Sequence, residues 1–93
     1  VEGPLSYDVA MDKAIAHHKG VDCEYCGDFD ALIVPDIDAG NILGKCLIVT
    51  AKAEMGGVIM GAKVPIVLTS RGSSAEEKFF SIAVASLMAG QTL

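Results

Sequence analysis

The sequence has no tryptophan and only 5% aromatic residues, so few large side chains are available to fill a core. Apolar residues nevertheless make up 52% of its 93 residues and charged residues 20%, a composition that excludes intrinsic disorder. A chain of this length can hold one small domain, which excludes a two-domain enzyme within these residues alone. Because the core lacks large side chains, we expect modest stability in isolation.

Positive charge is also scarce. Seven Lys and Arg residues against twelve Asp and Glu give a net charge of -5, the wrong sign for a nucleic-acid partner. The longest apolar run, 79–89, is interrupted by Ser81 and Ser86 and is shorter than the roughly 18 residues that a membrane span needs. We therefore expect neither nucleic-acid nor membrane binding. Three cysteines, an odd number, fit a reducing compartment, so we expect a cytoplasmic location.

Short apolar runs alternate with helical patterns along the chain, and this alternation predicts an α/β fold with a mainly parallel sheet and crossover helices. The expected strands are 31–34, 58–60 and 66–68, and the expected helices are 6–19, 41–53 and 75–89. We expect Ser6 to cap the first helix and Gly20 to end it in a left-handed conformation. Ligands of such sheets bind beyond the strand ends, which directs attention to residues 35–41 and 70–74.

The second of these segments combines several groups that bind anions. Arg71 can hold phosphate with a bidentate fork, and the helix start at Gly72-Ser73-Ser74 offers free N–H groups and a partial positive charge. We therefore take Gly72, Ser73 and Ser74 as candidate binding residues. A purely structural interpretation also fits, since Ser74 and Glu77 can form a capping box and Arg71 can be a solvated loop residue.

Residues 35–41 place two carboxylates and an amide where a strand is expected to end. Asn41 is a candidate for binding substrate, and the carboxylates are potential ligands for a hard cation. Helix capping by Asp38 or Asn41 is the favoured interpretation. The spacing does not resemble a dedicated calcium loop.

Cys23 and Cys26 form a C-x-x-C motif close to His17 and His18. A structural zinc site normally has two ligand pairs, and a thioredoxin-type pair opens a helix directly after a strand. Here the motif instead follows a helix in a polar connection. We therefore expect surface-loop cysteines and no bound metal, with a zinc or redox module as an alternative. Cys46 is expected to be a small core residue.

Three blocks of the sequence resemble the phosphate acetyltransferase and phosphate butyryltransferase family. They are GPLSYD at 3–8, VPDIDAGNI at 34–42 and AKVPIVLTSR at 62–71. Their order and spacing match across nearly the whole chain, which corresponds to about the last third of such an enzyme. The resemblance implies a C-terminal fragment whose residues 70–93 pack against an N-terminal domain outside this chain. It also implies the layered fold of isocitrate and isopropylmalate dehydrogenases, and a homodimer.

The resemblance implies transfer of an acyl group between coenzyme A and inorganic phosphate. Acyl-CoA, acyl phosphate and phosphate are then the partners, with coenzyme A as a substrate and no permanently bound cofactor. Ser70 and Arg71 match the family's active-site pair: Ser70 would hydrogen-bond the reacting carbonyl or thiol, and Arg71 would hold phosphate or the developing negative charge. Glu77 stands where the acetyl branch has a catalytic Asp, thought to act as a base on the thiol of coenzyme A.

The extra methylene of Glu77 and the Gly3-Pro4 pair look more like the butyryl branch, which is therefore favoured. An acetyltransferase fragment, or a non-catalytic module that keeps the coenzyme A or anion site, is the alternative. Because essential groups would lie outside the chain, the 93 residues alone are expected to be inactive.

Overall fold

Two compact units make up the chain in the computed structural model, Val1–Pro35 and Asp36–Leu93. The structure describes residues 1–91. Thr92 and Leu93, the last two residues of the predicted packing segment 70–93, lie outside the described residues.

The first unit contains two short helices where one was predicted. Helix α1 spans Tyr7–Met11 and helix α2 spans Lys13–His18. They are separated by Asp12, whose backbone is extended and whose carboxylate accepts hydrogen bonds from the N–H groups of Ala14 and Ile15. An aspartate that caps the following turn in this way competes with continuous helix, which explains the break. Gly20 adopts the predicted left-handed conformation, with φ of 75°.

The core of this unit shows that the surface-loop prediction for the C-x-x-C motif was wrong. Cys23 and Cys26 are buried, and they pack with Val9 and Ala16. A connection that is polar in sequence can still turn two small apolar side chains inward, because a thiol behaves as a small hydrophobic group. Cys46, in contrast, was predicted in the core and is exposed.

The second unit begins with helix α3, Ile37–Val49. Its N-cap is Asp36, whose carboxylate accepts a hydrogen bond from the N–H of Ala39 at 2.9 Å. The expectation that Asp38 or Asn41 would cap the helix was therefore wrong, and both lie within it. Asp38 instead occupies the first turn, where a negative charge is favoured by the helix dipole.

Helix α4, Ala75–Ala89, has the bounds that the sequence predicts. Ser81 is 1% exposed on this helix. Its hydroxyl donates to the carbonyl of Glu77 at 2.7 Å and accepts from the N–H of Gly57 at 3.0 Å. This pair of bonds ties the segment around Gly57 to α4. Within the described part of the chain, no helix has both the length and the apolar character needed to cross a membrane.

The predicted α/β fold with a mainly parallel sheet was wrong, and so was the layered fold of isocitrate and isopropylmalate dehydrogenases that the resemblance implies, because no sheet is present in the described residues. Residues 1–91 contain four helices and no strand. The apolar runs 31–34, 58–60 and 66–68 form no ladder; a single antiparallel bridge joins Ile59 to Ile66, with an N–H to O distance of 2.8 Å. Apolar β-branched runs favour extended backbone, but a strand also needs a neighbour in register, which the run itself does not specify.

Candidate functional site

Ser70 and Ser73 are joined by three hydrogen bonds in the turn that precedes α4. The N–H of Ser73 donates to the carbonyl of Ser70 at 3.1 Å. The N–H of Ser70 donates to Ser73 Oγ at 3.0 Å, and the two Oγ atoms lie 3.1 Å apart. Ser73 is buried and Ser70 is exposed. The turn therefore presents the Ser70 hydroxyl at the surface on a locally fixed backbone.

Arg71 and Gly72 form the exposed tip of this turn. Among residues 1–91 the one ion pair joins Lys19 to Asp8, so Arg71 has no carboxylate partner there. A guanidinium that is not paired with a carboxylate is available to hold a phosphate or another anion. A Cβ built on Gly72 would lie 4.0 Å from Ser70 Oγ, an ordinary van der Waals distance, so the tip of the turn leaves space beside that hydroxyl.

Ser74 and Glu77 connect the turn to the first turn of α4. Ser74 Oγ accepts a hydrogen bond from the N–H of Glu77 at 3.1 Å, which confirms Ser74 as the helix cap. In the described part of the chain the Glu77 carboxylate makes no return bond to the Ser74 N–H, so half of the predicted capping box forms. Glu77 is half-buried, and both residues line a cavity of about 280 Å³.

The cavity has a mixed lining. Ile48, Met55 and Phe80 supply apolar surface, while Lys52 and Glu54 add charge alongside Glu77. Lys52 has a left-handed backbone, with φ of 57°, a conformation uncommon for a residue with a side chain. Sequence patterns indicated neither Lys52 nor Glu54, because no motif or periodicity distinguishes them from other surface charges.

Gly56 explains how the segment that contains Lys52 and Glu54 reaches α4. A Cβ on this glycine would lie 2.9 Å from the carbonyl carbon of Phe80 and 3.0 Å from its oxygen. The two backbones therefore approach too closely for any side chain at this position. In the sequence, the paired glycines 56–57 indicate only the end of a helix, so the contact of Gly56 with the Phe80 backbone was not predicted.

Asn41, the remaining predicted binding residue, is exposed in the first half of α3. It does not line the cavity next to Glu77. No hydrogen bond among the described residues joins it to the Ser70 turn. The structure thus groups Ser70 with Ser73, and Ser74 with Glu77, in one continuous segment, and leaves Asn41 outside that group.

The other chemical candidates lie in the first unit. Burial, followed by a side-chain hydrogen bond with Cys23, raises the pKa of the Cys26 thiol to about 11. A thiol with so high a pKa stays protonated at neutral pH and is a weak nucleophile. His17 and His18 are exposed at the end of α2. Across residues 1–91 no three His, Cys, Asp or Glu side chains are grouped so that they can hold a metal ion.

Comparisons with known proteins agree with the resemblance. A family described as Phosphate acetyl/butaryl transferase matches residues 1–86. The phosphate butyryltransferase of Clostridium acetobutylicum is 46% identical over 90 residues, which cover 97% of this chain and 30% of that protein. The phosphate acetyltransferase of Thermotoga maritima is 46% identical over 89 residues, which cover 96% of this chain and 30% of that protein. The chain belongs to the phosphate acetyl/butyryl transferase family.

A solved structure has a similar backbone. The crystal structure of a branched-chain phosphotransacylase from Enterococcus faecalis V583 matches with a TM-score of 0.80 and 48% identity, covering 90% of this chain and 32% of that one. The chain therefore spans about a third of the length of the relatives it matches. These two relatives, one a butyryltransferase and one an acetyltransferase, are equally identical to this chain at 46%, so the two branches are both represented among similar proteins.

Proposed function

We propose that the protein containing this chain transfers an acyl group between coenzyme A and inorganic phosphate. The observation that supports the proposal is the segment 70–77 of a family member, in which Ser70 carries an exposed hydroxyl, Arg71 an exposed guanidinium with no carboxylate partner among residues 1–91, and Glu77 a carboxylate that lines a cavity. These groups match the needs of acyl transfer: a donor for the carbonyl oxygen, a cation for phosphate and a base for a thiol.

In the direction of acyl-CoA synthesis, the sulfur of coenzyme A attacks the carbonyl carbon of the acyl phosphate. A C–S bond forms, the C–O bond to phosphate breaks, and inorganic phosphate leaves. Glu77 accepts the thiol proton, Ser70 donates a hydrogen bond to the carbonyl oxygen, and Arg71 balances the charge of the departing phosphate. A free thiol has a pKa of about 8.5, so a nearby carboxylate increases the reactive thiolate as attack begins.

The substrates, oligomeric state and location that we propose are those that membership of the family implies. Acyl-CoA, acyl phosphate and phosphate are the reacting partners, and coenzyme A is a substrate rather than a resident group. We infer that the complete protein forms a homodimer. We also infer a cytoplasmic location, since the three free cysteines fit a reducing compartment. Because the chain spans about a third of its relatives, we also infer that the 93 residues alone do not sustain turnover.

The test is substitution of Arg71 in the complete protein, with butyryl-CoA and phosphate as substrates and thiol release as the signal. Arg71→Ala should lower kcat/KM for phosphate by about 100-fold or more, the usual effect of removing a group that stabilises transition-state charge. Lys45→Ala is the matched control, since Lys45 is an exposed cation on α3. Equal rates for Arg71→Ala and the control would refute the assignment of phosphate binding to Arg71.

Acyl preference is measured with the same assay. The ratio of kcat/KM for butyryl-CoA to that for acetyl-CoA distinguishes the two branches directly. A ratio above one supports the butyryl assignment that Glu77 suggests, and a ratio below one supports the acetyl branch.

A further inference from the structure

We infer that Ser73 is a positioning residue that acts through Ser70, and that it fixes the direction in which the Ser70 hydroxyl donates. This inference rests on the proposed function, in which Ser70 contacts the reacting carbonyl. It replaces the expectation that Ser73 itself binds substrate. The structural basis is the set of hydrogen bonds between the two residues.

The burial of Ser73 determines which hydroxyl is the donor. Ser73 is 9% exposed, and its Oγ already accepts from the N–H of Ser70. A buried hydroxyl proton needs an acceptor, and Ser70 Oγ at 3.1 Å provides one. The opposite orientation would leave the Ser73 proton buried without this partner. Because Ser70 is exposed, its own proton loses nothing by pointing outward.

This orientation prepares Ser70 as a hydrogen-bond donor to a ligand. Its oxygen accepts from Ser73, while its proton is left for a carbonyl oxygen or a developing oxyanion. A hydroxyl that accepts one hydrogen bond donates the next more strongly, since bonds in a chain polarise one another. The Ser70 N–H is engaged by Ser73 Oγ and is not available to a ligand, so the side chain of Ser70 makes the contact.

The same geometry argues against direct substrate binding by Ser73. Its hydroxyl has one proton and two lone pairs; the proton and one lone pair are used by Ser70, and little of the side chain reaches solvent. Loss of the Ser73 hydroxyl should therefore lower kcat with little change in KM. Loss of a substrate contact would instead raise KM.

The experiment is a double-mutant cycle in the complete protein, with Ser73→Ala, Ser70→Ala and the double variant assayed for acyl transfer. Ser73→Ala should lower kcat about ten-fold in the wild-type background, the scale of one neutral hydrogen bond. In the Ser70→Ala background the same substitution should change kcat by less than about two-fold, because the hydroxyl through which it acts is gone. Additive losses in the two backgrounds would overturn the inference.

Two further variants separate positioning from a general structural effect. Ser73→Thr retains a hydroxyl and should restore most of kcat, whereas failure of this rescue counts against the inference. Ser86→Ala is the control: this exposed α4 hydroxyl donates to the carbonyl of Ile82 at 2.8 Å, and its loss should leave kcat unchanged.

Hydrogen exchange does not depend on turnover, so it tests the positioning role of Ser73 separately from the proposed acyl transfer. Ser73→Ala removes the acceptor of the Ser70 N–H, so hydrogen exchange of that amide should accelerate at least about ten-fold, while Ser73→Thr keeps it slow. Absence of acyl transfer in the wild-type protein would refute the proposed function, and the exchange rates would still decide whether Ser73 holds Ser70. Unchanged exchange in Ser73→Ala would refute the positioning role even in an active enzyme.

Discussion

The contact between Gly56 and Phe80 allows a sharp test of how the cavity beside Glu77 is built. In Gly56→Ala the new methyl group would lie 2.9 Å from the Phe80 carbonyl carbon and 3.0 Å from both its carbonyl oxygen and its Cβ. Two of these three atoms belong to the backbone of α4, which cannot move aside as a flexible side chain does. The segment 56–57 must therefore shift away from the helix.

The cost of that shift has two parts. Overpacking of a close contact costs about 1–3 kcal/mol. Displacement also lengthens the bond from the Gly57 N–H to Ser81 Oγ, which adds about 0.5–1.5 kcal/mol. The loss of chain entropy in the unfolded state on Gly→Ala returns only about 0.4–1 kcal/mol. We expect a net destabilisation of about 2 kcal/mol for Gly56→Ala, within a range of about 0.5–4 kcal/mol.

Gly57→Ala provides the matched control, because a Cβ on Gly57 meets no atom of the described residues within 4 Å. The substitution keeps the N–H that donates to Ser81, so it should be neutral or stabilising by up to about 1 kcal/mol. Urea unfolding of both variants measures the free energies, and an unchanged slope with denaturant shows that the comparison is valid. Equal stability of the two variants would refute the close approach between segment 56–57 and α4.

Two predictions concern the first unit. The ion pair from Lys19 Nζ to Asp8 at 2.6 Å, together with hydrogen bonds from Ser6 and Val9, lowers the pKa of Asp8 from 3.8 to about 2. The ionised Asp8 carboxylate therefore stabilises the folded chain fully above pH 4, and this stabilisation is lost as the pH falls towards 2. Carboxyl NMR titration should give an Asp8 pKa that rises towards 3.8 in Lys19→Ala, and an unchanged value would contradict the pairing. The raised pKa of Cys26 predicts that iodoacetamide at pH 7 modifies exposed Cys46 much faster than Cys26, as peptide mass spectrometry would show, whereas equal rates would contradict burial of the thiol.

Helix α4 was predictable because local and longer-range signals agree there. Ser74 is a good N-cap, the first turn is acidic and Gly90 follows the last residue, so each end has its own chemical signal. The first helix lacked this agreement. Asp12 lies within an otherwise helical pattern, and its capping bonds to the following turn divide the pattern into α1 and α2.

The prediction of a sheet was wrong because a strand forms only beside a neighbouring strand, and the sequence of one apolar run does not identify that neighbour. Runs such as 31–34 have the composition of buried strands, yet Ile33 is 93% exposed. Composition describes what a segment would prefer to contact, whereas strand pairing depends on which other segment lies beside it. The burial of Cys23 and Cys26 was missed for a related reason: the polar residues between them determined the sequence interpretation, although the turn 24–27 directs both thiols into the core.

The grouping of the main candidate residues could be predicted because they are close together in the chain, while their roles stay predictions. Ser70, Arg71 and Glu77 lie within eight residues, so the sequence alone places them on one turn and helix start. What the sequence could not indicate is the support of that segment by residues distant in the chain. Lys52 and Glu54 enter the cavity only because the backbone near Gly56 touches α4.

Ser81 is the link between that distant segment and the site. Its buried hydroxyl accepts from the Gly57 N–H and donates to the Glu77 carbonyl, so one side chain joins the segment that follows Lys52 and Glu54 to the residue proposed as the base. A shift at Gly56 should therefore reach Glu77, and destabilisation and loss of activity should occur together in Gly56→Ala. Ser73 contacts Ser70 through bonds within its own turn, so its loss should act on the Ser70 hydroxyl and leave the bonds of Ser81 intact. The site thus has two separable supports, one for the base and one for the hydroxyl donor.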